Sequence, residues 1–112
     1  MKTYKWFCVL FLITALLTVT VFAQKTALPK MRKGEGYKSV RVKMIRAGWK
    51  PFHSKDADKC SKEDERCQNR PEMEACAGTG EGNCRFLWKR KGKIVVIFTV
   101  GDNTAYRDYE FQ

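Results

Sequence analysis

Cys60, Cys67, Cys76 and Cys84 fall in one stretch with the spacing C-x6-C-x8-C-x7-C. Thiolates grouped this way either hold a metal ion or oxidise to disulfides. Structural zinc sites are built from close C-x2-C knuckles, which this spacing lacks, so no metal is expected and disulfides are. Four cysteines allow three pairings. Short local loops close most easily, which favours Cys60–Cys67 with Cys76–Cys84. With all four oxidised and no C-x-x-C pair in the stretch, no thiol remains to act as nucleophile or redox couple.

The other side chains that could do chemistry are scattered. His53 is the single histidine and stands beside Pro51 and Phe52 with no acid next to it, so it reads as a surface or edge residue. Glu63, Asp64, Glu65, Glu72 and Glu74 would supply a carboxylate pair for hydrolysis only if a cleft pushed their pKa values apart. A charged run between cysteines is expected to be a solvated loop instead. Gly78-x-Gly80-x-Gly82 resembles a phosphate-binding loop only loosely. It lacks the Gly-Lys-Ser/Thr that completes one and precedes a strand, so it reads as a turn. No catalytic set and no cofactor are expected, and the chain reads as a non-enzyme.

Cations near aromatics form the remaining signal. Arg85, Lys89, Arg90, Lys91 and Lys93 surround Trp88, and Lys50 lies between Trp49 and Phe52. These are candidate polyanion contacts, suited to phosphate or sulfate groups. Lysines at hairpin tips and sheet edges also serve solubility, which is the rival explanation. Phe86 and Trp88 read as core rather than as a stacking platform.

These residues must be held by a small set of elements. Tyr37, Val40, Met44 and Ala47 recur at helical spacing, with Gly48 as the C-terminal cap and Pro51 beyond it. The alternation of Val40, Val42 and Met44 offers a strand as the competing reading. Trp49–His53 reads as a short strand, and Asn69–Glu74 as the start of a short helix, with Pro71 in its first turn beside acids. Cys84–Arg90 alternates, Lys91-Gly92 forms a two-residue turn, and Lys93–Val100 is apolar on both faces. That is a hairpin whose second strand is central and covered on both sides. Tyr106, Tyr109 and Phe111 lie in a tail that either packs back on the sheet or stays exposed.

Residues 1–23 carry Lys2 and Lys5, then an uncharged apolar run from Trp6 to Phe22 and a Val-x-Ala cleavage site. This is the pattern of a secretory signal peptide cleaved after Ala23, with an uncleaved membrane anchor as the rival. Export meets an oxidising compartment, which suits disulfides. The protein is therefore expected in the periplasm or outside the cell. Residues 24–36 are polar and basic and read as a flexible arm; 37–112 form one domain, with the cysteine-rich segment at 60–84. Of 112 residues, 22 are Lys or Arg and 12 are Asp or Glu, a formal charge of +10. The acids concentrate between Cys60 and Cys84, which makes an acidic lobe on a basic body. A chain of this length holds one domain and excludes large multi-layer enzymes.

Gly48-Trp49-Lys50-Pro51, Asp58-x-Cys60, Asp64-x-Arg66-Cys67, Arg70-Pro71-Glu72-Met73, Cys76-x-Gly78-Thr79-Gly80 and Cys84-x-Phe86-x-Trp88 together resemble a group of small exported cysteine-containing bacterial proteins of unknown function. The resemblance spans roughly residues 37–101. It implies a periplasmic or secreted domain with a helix packed on a small antiparallel sheet, and it carries no catalytic residue across. The order of elements is also similar, at the level of fold alone, to exported helix-on-sheet modules of outer-membrane assembly lipoproteins and β-lactamase-inhibitor-like proteins.

The expected fold is α+β: one amphipathic helix on an antiparallel sheet of three to four strands, stapled by disulfides. The expected role is a non-enzymatic binding or envelope accessory module whose partner is a protein or envelope component. The alternative is a cationic protein that binds polyanions or a membrane surface. Nucleic acid is not the expected partner, and a membrane would be reached only through an uncleaved leader or surface charge.

Overall fold

A computed structural model of the chain describes residues 28–112. Residues 1–23, read from the sequence as a signal peptide, and residues 24–27 of the expected arm lie outside the described residues. Helix α1 spans Tyr37–Arg46, and the strands are β1 Lys50–Pro51, β2 Met73–Cys76, β3 Cys84–Arg90, β4 Lys93–Val100 and β5 Ala105–Phe111. All strand pairs are antiparallel. The fold is α+β as expected, with five strands rather than three to four, because β1 and β2 share one edge of β3.

The helix forms where the apolar stripe placed it. Tyr37, Val40 and Met44 are fully buried, whereas Val42, the alternating position that would favour a strand, is exposed. Its end is a Schellman motif: Gly48 N–H donates to Ile45 O and Trp49 N–H to Met44 O, both at 3.0 Å. Gly48 takes φ +87°, which a residue with a Cβ adopts only under strain. Trp49 and Met44 then meet in the core.

The face of the sheet under α1 carries Phe86, Trp88, Val95 and Ile97, all fully buried. Phe86 stacks on Tyr37 with ring centroids 3.8 Å apart. Phe86 and Trp88 are therefore core. On the other face Leu87 and Val96 are buried, while Ile94, Phe98 and Val100 are half-buried, so β4 is central but unequally covered.

Both disulfides take the favoured pairing, Cys60–Cys67 and Cys76–Cys84. Cys76 and Cys84 face each other across β2 and β3, so this bridge staples the sheet, while Cys60–Cys67 closes a loop.

Three local expectations are corrected. Asn69–Glu74 does not begin a helix: Asn69 takes φ +56°, the chain turns through Arg70–Glu72, and Met73 enters β2. Pairing with β3 outweighs the weak first-turn signal. Trp49–His53 is strand only at Lys50–Pro51. Residues 28–36 do not stand free as an arm: Leu28 and Met31 pack on the core, and Gly34 N–H and Glu35 O bond Tyr106 on β5. Lys43 holds the same segment through Lys30 O at 3.0 Å and the Glu35 carboxylate at 2.7 Å.

Candidate functional site

The turn between β3 and β4 fixes the geometry of the basic residues. Lys91 and Gly92 both have positive φ, 48° and 77°, as a two-residue hairpin turn matched to strand twist requires. Register then sets Arg90 opposite Lys93 and, on the other side of β3, Lys50 opposite Lys89. Each pair places two cations directly across from one another. Like charges in that position destabilise a sheet.

A cleft of about 520 Å³ opens at this end, lined by Gly48, Lys50, Pro51, Phe52 and Lys89 through Gly92. The described residues lining it include no acid. Its floor comes from the helix cap, since a Cβ at Gly48 would stand 3.4 Å from Arg90 Nε. Lys89 Nζ lies 5.3 Å from the centroid of the Phe52 ring, a cation–π contact that holds the ammonium near the cleft. The site thus offers ammonium and guanidinium donors over backbone and apolar surface, which is chemistry for holding anions rather than for moving protons.

Lys89, Arg90, Lys91 and Lys93 are therefore brought together at the hairpin tip. Arg85 is not among them. It lies near the other end of β3, paired with Glu74 at 3.2 Å and set over Phe98 at 5.3 Å. Lys50 belongs to the cluster, joined to it by the β1–β3 pairing that lies outside the reach of local sequence.

A second polar cluster is buried under the helix. Glu72, expected in a solvated acidic loop, is fully buried. Its Oε1 accepts from Arg41 Nε at 2.6 Å and from Tyr37 Oη at 3.0 Å, and Tyr37 Oη accepts from Trp88 Nε1 at 3.0 Å. Burial, and then the Glu72 charge, push the Tyr37 phenol well above its usual 10.0. The hydrogen bond to Glu72 raises the already high pKa of Arg41. Arg70 stacks on the Tyr37 ring at 4.8 Å, and its burial lowers its pKa. Donors and acceptors here are matched to one another, so the cluster ties helix to sheet.

The remaining candidates are placed apart. His53 is exposed, with Nδ1 3.0 Å from Pro71 O. Asp64 binds Arg66 at 2.8 Å, which draws the Asp64 carboxyl below its usual range, and Arg66 also donates to Ala77 O at 2.8 Å and Gly82 O at 3.3 Å. The glycine run is thus a turn clasped by an arginine. Among the described residues no group of three or more His, Cys, Asp or Glu side chains is placed to hold a metal ion.

No protein-family model matches the chain, and no curated protein or solved structure matches it either.

Proposed function

We propose that this chain is an exported, non-enzymatic binding module whose cationic end engages an anionic macromolecule of the cell envelope or its surroundings. The observation that carries this reading is the facing of like charges, Lys50 opposite Lys89 and Arg90 opposite Lys93. Each such pair works against the sheet by a few tenths of a kcal/mol up to about 1 kcal/mol. Solubility accounts for a lone lysine at a hairpin tip. It does not account for facing cations on both sides of β3, whereas an anion lying between them offsets their repulsion.

Export is supported by the leader at 1–23 together with the two disulfides, which persist in an oxidising compartment. The charge distribution adds steering. Glu63, Asp64, Glu65 and Asp102 line a separate hollow near the start of β3 and the end of β4, away from the hairpin tip. The molecule would present its basic end first to an anionic surface.

Retention of the folded chain 24–112 on immobilised heparin, read against ionic strength, tests the proposal. Retention at low salt should fall steeply as salt rises, each anionic contact adding about −0.7 to −0.9 to the logarithmic slope. The double variant Lys89→Glu, Arg90→Glu should lose retention while its thermal transition stays cooperative and moves up rather than down. Absence of retention at low salt, or retention indifferent to this reversal, would overturn the reading.

A further inference from the structure

Of the four large apolar side chains that are exposed among the described residues, Val42, Ile45, Tyr109 and Phe111, Ile45 and Phe111 stand at the cationic end. Phe111 is 45% exposed, pairs in register with Val95, and lies 6.3 Å from the Trp49 ring. Trp49 in turn sits between the cleft residues Gly48 and Lys50. Tyr109, also 45% exposed, meets Phe111 edge-on. Ile45, 50% exposed, and Arg46 form the last turn of α1 before Gly48. At this end of the sheet Arg90, Lys93 and Phe111 share the helix face, while Lys50 and Lys89 lie on the opposite face, which also carries Glu110, opposite Val96, and Asp108, opposite Phe98, both set further from the hairpin tip.

A soluble polyanion would be held by the cations alone and has no use for this rim. Cations beside exposed aliphatic and aromatic side chains suit an interface where charged headgroups lie above hydrocarbon. We infer that the cationic end docks on an anionic lipid surface, with headgroup phosphates held by Lys50, Lys89 and Arg90 while Ile45 and Phe111 enter the interfacial layer. The inference rests on the polyanion reading above and narrows it to one partner. Among the described residues no helix is long and apolar enough to cross a membrane.

The test is co-sedimentation of the folded chain 24–112 with vesicles of phosphatidylcholine alone and of phosphatidylcholine mixed with phosphatidylglycerol, alongside heparin retention. Binding should require phosphatidylglycerol and should survive millimolar inorganic phosphate. The double variant Ile45→Ala, Phe111→Ala should weaken vesicle binding by about tenfold while leaving heparin retention unchanged. Lys89→Glu, Arg90→Glu should weaken both. Heparin retention without vesicle binding, or vesicle binding indifferent to the apolar variant, overturns the lipid inference and leaves the polyanion reading standing. Failure to bind either probe overturns both.

Discussion

Trp88 Nε1 donates a 3.0 Å hydrogen bond to the hydroxyl of Tyr37, linking the centre of β3 to the first turn of the helix. The same hydroxyl donates to Glu72, which enters from the cysteine-rich segment. One phenol therefore ties together parts of the chain that are far apart in sequence.

Removing the acid from this tie should be costly. Glu72→Gln keeps the shape but strips the charge that Arg41 pairs with, and Arg41 is only partly exposed. Urea denaturation should show a loss of about 1–3 kcal/mol, below the figure for a fully buried pair because solvent reaches the guanidinium. A change within about 0.3 kcal/mol would mean that the cluster contributes little to stability.

Alkali should probe the same phenol. Below its ordinary value of 10.0 Tyr37 keeps its proton in both folded and unfolded chains. Above that value the unfolded chain releases the proton while the folded protein retains it, so stability falls as pH rises. Tyr106, also raised by burial, adds in the same direction. Tyr37→Phe should lower stability at neutral pH yet flatten this alkaline decline. Parallel pH profiles for the two proteins would contradict the assignment.

The two bridges should open in order. The loop bridge has one exposed sulfur position, Cys60, although Cys67 is buried, whereas Cys84 is fully buried and Cys76 half-buried between strands. Mild reductant followed by alkylation and mass analysis should label Cys60 and Cys67 first. Double replacement of Cys76 and Cys84 by Ala should cost about 2–5 kcal/mol, the usual range for removing a native disulfide from a small domain. First labelling at Cys84 would show that the sheet opens before the loop.

Charge repair at the hairpin should trade binding for stability. Lys93→Glu turns its pairing with Arg90 from repulsive to attractive. Stability should rise by about 0.2–1 kcal/mol while heparin retention weakens. A variant that loses stability would show that the facing cations do not oppose the fold.

Where local pattern and tertiary contact agree, the fold is legible in the sequence. The helix, its Gly48 cap, the Lys91-Gly92 turn and the disulfide pairing all follow from spacing over short distances. What local pattern misjudged was set at long range. Glu72 looked like one acid of a charged run, and its burial depends on Tyr37 and Arg41, more than thirty residues earlier. Residues 24–36 read as a free arm in the sequence, because the β5 edge that the described part, 28–36, binds lies at the far end of the chain. The basic site was half legible for the same reason: Lys89, Arg90, Lys91 and Lys93 are neighbours in sequence, but Lys50 joins them only through the two-residue strand β1, and Arg85 leaves them for Glu74.

The most direct measurement is a titration of the isotope-labelled, folded chain with a short heparin fragment, followed by amide chemical shifts. Shifts should concentrate at Gly48, Lys50, Phe52 and residues 89–93, and should disappear at high salt. Shifts centred on the acidic segment around Glu63–Glu65, or spread evenly over the surface, would contradict a binding site at the cationic end.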